Sequence, residues 1–177
     1  MRSSDPSMIN CYQDLNTEMS ILDAIKSTTS EIDSLVNDED FDEITLGYLE
    51  ECLNNLIYKM GAVMIVDSLY SYAERREKII SFYSDYDEFK YRIIALGTIV
   101  ETRNYDRARS LLNTIETINE EQENFLYSQN IFIDYLTNST EFELSNEIKQ
   151  QLEAIAVKDY PLSIYTENIL YYIEEFN

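Results

Sequence analysis

Tyr91-Arg-Ile-Ile-Ala-Leu-Gly-Thr-Ile-Val-Glu-Thr-Arg-Asn-Tyr-Asp-Arg-Ala-Arg-Ser-Leu-Leu112 carries two helical apolar patterns that meet across a four-residue turn. Phe89, Ile93, Leu96 and Val100 line one face of the first helix, and Tyr105, Ala108, Leu111, Leu112 and Ile115 line the second. Between them, Thr102-Arg-Asn-Tyr105 is too short for anything except a tight antiparallel reversal. Ala108 is small where the two helices must come close. The outward residues Glu101, Arg103, Arg107 and Arg109 are expected to form a solvated face.

The same periodicity runs outward in both directions. Towards the N-terminus, Met8, Tyr12, Leu15, Met19 and Leu22 form one stripe behind Pro6, which suits a first helical turn. That helix is expected to break near Thr28-Thr-Ser30, with Ile32, Leu35 and Val36 as an alternative continuation. Asn37-Asp-Glu-Asp-Phe-Asp-Glu43 is the densest acidic run and lacks the spacing of a calcium loop, so its carboxylates are expected to cap the next helix. Leu49, Cys52, Leu53, Leu56 and Met60 mark that helix, with Gly61 expected to end it. A third helix, or two short ones, is expected over 62–82.

Towards the C-terminus, Thr117-Ile-Asn119 offers a cap for a helix marked by Phe125, Gln129, Phe132 and Leu136. Thr137-Asn-Ser-Thr140 interrupts the pattern. Leu144, Ile148, Leu152 and Ile155 define the next helix, and Asp159-Tyr-Pro161 starts a last one carrying Leu162, Tyr165, Ile169, Tyr172 and Phe176. The chain is therefore expected to be all-α, with about seven to eight helices stacked as antiparallel hairpins. It reads as one helical domain over 1–177, with a possible division into N-terminal helices, 1–83, and a hairpin stack, 84–177.

Composition agrees with that class. A chain of 177 residues can bury roughly 70 percent of its unfolded surface without staples. Three Gly and two Pro leave little material for β-turns. The 13 Lys and Arg against 34 Asp and Glu give a net charge of −21, which repels nucleic acid and anionic bilayers and suits basic partners. No apolar run reaches the roughly 20 residues that span a bilayer, so no membrane insertion is expected. The first residues contain no hydrophobic signal-peptide core. The expectation is either a cytoplasmic protein or an internal piece of a longer chain.

The chain contains no His, which excludes His-based nucleophile systems and His-ligated zinc or iron. Cys11 and Cys52 match no paired metal motif, and their pairing with each other is left open. No glycine-rich phosphate loop is present. A carboxylate pair for glycoside hydrolysis cannot be excluded by counting acids, but no Trp is available as a sugar platform. No catalytic, cofactor-binding or metal-binding residues are assigned, no cofactor is expected, and the chain reads as a non-enzyme. The 15 Tyr are the unusual feature. They are expected to bury their rings and send their hydroxyls to water, with interface recognition as the alternative. Asn138-Ser-Thr140 matches the N-glycosylation pattern but is better explained as a turn.

Asn104-Tyr-Asp-Arg-Ala108, preceded by Leu96-Gly97, resembles a tetratricopeptide hairpin, with Arg103 standing where that turn carries Gly. More widely, residues 91–177, through Ile118-Asn-Glu-Glu-Gln-Glu-Asn-Phe125, Gln151-Leu-Glu-Ala-Ile-Ala156 and Ile164-Tyr-Thr-Glu-Asn-Ile-Leu170, resemble the C-terminal helical region of large secreted surface proteins of Bacteroidetes, exported by type IX secretion. The resemblance implies a secreted or cell-surface, non-catalytic interaction or structural module that contacts a protein partner or neighbouring domains of its own chain. The alternative is a cytoplasmic acidic binding protein, or a nucleic-acid-mimicking inhibitor of a basic protein.

Overall fold

The computed structural model describes residues 15–37, 42–138 and 141–176. Among these residues the chain is all-helical, with eight α-helices and no strand. The helices are α1 (Glu18–Val36), α2 (Glu43–Val66), α3 (Tyr72–Ser84), α4 (Phe89–Glu101), α5 (Tyr105–Leu112), α6 (Glu120–Thr137), α7 (Asn146–Ala156) and α8 (Ser163–Phe176). The chain divides into two compact units, Met1–Arg75 and Arg76–Asn177. Of the stripe expected behind Pro6, Met8 and Tyr12 lie outside the described residues; Leu15 is buried, but Met19 is exposed, because the helix turns Ile21, Ala24, Ile25 and Thr28 inward instead.

In the first unit, α1 packs along α2. Thr17 caps α1 with a reciprocal box, its hydroxyl accepting from Ser20 N while Ser20 Oγ accepts from Thr17 N. The expected break at Thr28-Thr-Ser30 does not occur, and α1 continues to Val36. Thr28 is fully buried, and Thr29 donates its hydroxyl back to Ile25 O at 2.9 Å, so these residues are absorbed into the helix. Gly61 does not end α2 either. A terminating glycine must turn left-handed, and no described glycine has positive φ; Gly61 is instead buried mid-helix. The helix ends at Asp67, whose carboxylate accepts from Leu69 N at 2.9 Å, while Arg75 donates to Asp67 O and Tyr70 O. The helix expected over 62–82 is thus the end of α2, a loop, and α3. Ser71 and Glu74 then form the box that starts α3, with Ser71 N donating to the Glu74 carboxylate at 2.8 Å. That hydrogen bonding holds the Glu74 carboxyl below its ordinary pKa.

In the second unit, the turn between α4 and α5 is a Schellman motif. Arg103 N donates to Val100 O at 2.9 Å and Asn104 N to Ile99 O at 3.4 Å. Asn104 then caps α5 by accepting from Arg107 N. Arg103, at the position where the hairpin pattern carries Gly, sits at φ 60°.

Two buried clusters share α6. Ile80, Leu96, Ile99, Ala108, Leu112 and Ile115 meet Ile133 on one flank. Leu152, Ile169 and Ile173 meet Ile131 and Tyr135 on the other. Ala108 is fully buried, as close helix approach requires. Between α6 and α8, contacts pair Phe125 with Tyr165, Ser128 with Thr166, Phe132 with Tyr172 and Tyr135 with Phe176, so the two helices run in the same direction. Chain reversals before and after α5 bring α4 parallel to α6 as well, with Phe89 against Phe125 at 5.9 Å between ring centres.

A left-handed backbone costs a non-glycine residue roughly 1–2 kcal/mol, and a glycine substitution relieves it. Arg103→Gly is therefore expected to stabilise the protein by about 1 kcal/mol, read as a higher urea midpoint with an unchanged slope. A lower midpoint would show that the Arg103 side chain contributes more than its backbone strain costs.

Candidate functional site

Of the apolar stripes that periodicity assigns to α4, α6 and α8, Leu96, Phe125 and Ile169 are buried, while the other members are half-buried or exposed. On α4 the buried residues are Tyr91, Ala95, Leu96 and Ile99; on α6 they are Phe125, Ser128, Ile131, Ile133 and Tyr135; on α8 they are Ser163, Thr166, Ile169 and Ile173. Much of the remaining stripe faces a groove of about 620 Å³ laid across the three parallel helices. Ile93 and Val100 of α4 form one wall, Phe125, Gln129 and Phe132 of α6 lie between, and Tyr165 and Tyr172 of α8 form the other wall.

Tyr165 and Tyr172 are 51% and 41% exposed, so their rings are open to the groove and to solvent. Each rests edge-on against a phenylalanine of α6, Tyr165 on Phe125 at 5.5 Å and Tyr172 on Phe132 at 5.7 Å. Two aromatic pairs thus stand along the groove, held from behind by the hydrogen bond between the Ser128 and Thr166 hydroxyls, 2.7 Å long and buried.

Gly97 lies in the α4 wall. A Cβ built there meets nothing within 4 Å, so no neighbour requires a glycine. In a helix interior glycine costs about 1 kcal/mol relative to alanine. Its structural effect is to leave the groove wall bare and the α4 backbone open to approach.

The polar groups in the groove are few: Thr98, whose hydroxyl donates to Ile94 O, Glu101, and the amides of Gln129 and Asn168. No hydrogen bond to another described residue ties up either amide.

Around the groove, the expected solvated face of the α4–α5 hairpin proves to be an interhelical brace. Glu101 pairs with Arg76 at 2.7 Å, Arg107 with Glu77 at 2.7 Å, and Arg109 with Asp134 at 2.8 Å. Sequence spacing showed these residues as outward on their own helices but carried no sign of the helices lying beside them. Arg92, Lys149 and Lys158 are likewise paired, with Asp87, Glu174 and Glu120. Most cations of the second unit are consumed this way, leaving carboxylates such as Glu167 and Glu175 in excess on its surface. Lys149 is held above its ordinary pKa, first by its hydrogen bond to Glu174 and then by that charge. Glu120 is held below the usual carboxylate range by Lys158 and by the Tyr160 hydroxyl.

Among the described tyrosines, Tyr83, Tyr91 and Tyr135 are buried, Tyr86, Tyr105 and Tyr127 are half-buried, Tyr165 and Tyr172 line the groove, and Tyr48, Tyr58, Tyr70, Tyr72, Tyr160 and Tyr171 are exposed. Tyr86 and Tyr127 are pushed above the ordinary phenol pKa, chiefly by burial. Cys52 is buried in α2 and disulfide-bonded; Cys11 lies outside the described residues. Ser139 and Thr140 of the glycosylation pattern also lie outside them. Among the described residues, no cluster of three or more His, Cys, Asp and Glu is placed to hold a metal ion, and no helix is long and apolar enough to cross a membrane.

Fold and site together define an all-α protein with an apolar, aromatic-walled groove across parallel helices. Comparison with protein-family models, with curated proteins and with solved structures finds no match.

The depressed pKa of Glu120 gives a signed pH dependence. A carboxyl lowered on folding adds stability above its unfolded value, and that stability is lost as pH falls through the folded value. Glu120→Gln is expected to lower the urea midpoint at pH 7, with the gap to wild type closing as pH falls below the ordinary glutamate value. A gap that persists unchanged at the acid end would show that the Lys158 and Tyr160 contacts act through packing and not through charge.

Proposed function

We propose that this chain is a non-catalytic, tetratricopeptide-like helical module of a secreted or cell-surface bacterial protein, and that it binds a protein partner, or a neighbouring domain of its own chain, through the groove across α4, α6 and α8. The observation that carries this reading is the groove itself: three same-direction helices each leave part of an apolar stripe half-buried or exposed along it, and Gly97 keeps one wall bare. Apolar surface gathered in one place costs solubility, and such patches mark recognition sites. Alternation of helices that line the groove, α4, α6 and α8, with helices that back it, α5 and α7, supports the tetratricopeptide-like arrangement. The disulfide at Cys52 suits an oxidising compartment.

A second reading, the cytoplasmic acidic binder of a basic protein, is favoured by the surplus of unpaired carboxylates. The two differ in what carries affinity. Groove docking survives high salt because apolar burial dominates, whereas a carboxylate array loses most of its affinity when screened.

Gly97 supplies the test. Gly97→Ala is expected to raise stability by about 0.5–1 kcal/mol, because it removes helix entropy without meeting a neighbour. Gly97→Phe is expected to keep the helical circular dichroism and thermal midpoint while filling the groove. Peptides selected from a random display library on the whole chain should bind wild type in 0.5 M salt and lose about tenfold or more in affinity to Gly97→Phe. Selected peptides that bind both proteins equally would overturn the groove reading.

A further inference from the structure

We propose that the groove takes a segment in the polyproline II conformation, with apolar side chains at positions i and i+3 and a Lys or Arg flank at the end that lies over Glu175. The inference rests on the groove reading above and names the ligand that the groove fits.

The first observation is spacing. Phe125 and Phe132 lie seven residues apart on α6, and Tyr165 and Tyr172 lie seven apart on the parallel helix α8. At 1.5 Å per residue the two aromatic pairs are offset by about 10.5 Å along the groove. A polyproline II segment advances about 3.1 Å per residue with three residues per turn, so side chains i and i+3 share a face about 9.3 Å apart. A β-strand presents same-face side chains about 6.6 or 13 Å apart, and neither distance matches, whereas an α-helix matches at i and i+7, about 10.5 Å, so that spacing excludes the strand and polar chemistry separates the other two.

The second observation is polar chemistry. A ligand helix arrives with its backbone groups already bonded, whereas a polyproline II segment bonds none of its own N–H and C=O groups. The Gln129 and Asn168 amides, each with donors and an acceptor and neither tied up by a described residue, supply what such a backbone lacks. Gly97 lets that backbone come close to α4. Aromatic-walled grooves are the general receptor for this conformation, because it is stiff beforehand and loses little entropy on binding.

Charge sets the flank. Glu175 lies one turn beyond Tyr172 on the same side of α8 as Asn168, exposed and outside the described ion pairs. A net charge of −21 repels any acidic segment from the whole surface. The mouth of the groove at the C-terminal end of α8 therefore favours a cation.

The test uses synthetic peptides of one length, measured calorimetrically against the whole chain. One set carries apolar residues at i and i+3 on a proline-rich backbone with a Lys/Arg flank. Matched sets move the spacing to i+2 or i+4, or replace the flank with Glu. The i+3 basic peptide is expected to bind about tenfold or more tightly than every other set, and to lose that affinity to Gly97→Phe. Glu175→Gln, a surface change that leaves the fold intact, is expected to weaken the basic-flanked peptide about threefold and a neutral-flanked one not at all. Equal binding of all spacings, preference for a helical i+4 peptide, or indifference to flank charge would overturn the proposal. If an i+4 peptide binds and is lost to Gly97→Phe, groove docking stands and the polyproline II assignment falls. If no peptide of any spacing binds, both fall.

Discussion

The second unit depends on burial of two opposite flanks of α6. Ile133 is fully buried against α3, α4 and α5, while Ile131 and Tyr135 are buried against α7 and α8. Burying a large apolar side chain is worth about 1.5–3 kcal/mol, so a helix loaded on both sides has little freedom to rotate about its axis. Its third face, with Phe125, Gln129 and Phe132, is therefore held in one direction, and that direction is the groove. The Ser128–Thr166 hydroxyl pair adds registry, because two buried hydroxyls that satisfy one another penalise any slip of α8 along α6.

Charge then shapes what surrounds this core. In a chain of net charge −21, each cation has many possible partners, and in the second unit Arg76, Arg107 and Arg109 bridge helices instead of decorating one. Exposed pairs of this kind contribute little stability individually. Their larger consequence is the charge they leave behind. With the cations engaged, the surface around the groove is acidic while its floor stays nearly free of charge, a combination that sorts partners by charge before apolar contact is made.

Helix type and most helix positions were legible from residue spacing, because a 3.6-residue apolar period has one physical meaning in a chain with so few glycines. The hairpin at 91–112, the Asn119 cap and the interruption after Leu136 all stand in the structure. Boundaries failed where a residue with two roles was assigned the wrong one. Gly61 ends a helix only if its φ turns positive, and burial keeps it helical; Thr28 and Thr29 break a helix only if their hydroxyls lack a place, and burial with back-bonding gives them one. The Ser71-to-Glu74 box was readable in the sequence but lay hidden in a run of charge.

By itself the sequence determined an all-helical chain, the sharp reversal before Asn104, the acidity of the surface and the absence of histidine chemistry, because each follows from residue identity or from neighbours within a turn or two. Only the tertiary structure decided which stripe of each helix is core and which is groove. Periodicity says that one side of a helix is apolar, but α6 is apolar on more than one side, and the face left open depends on how many neighbours pack against it. The groove is a property of three helices at once, joined by contacts between residues some 35 to 45 positions apart, and no spacing within a single helix encodes that.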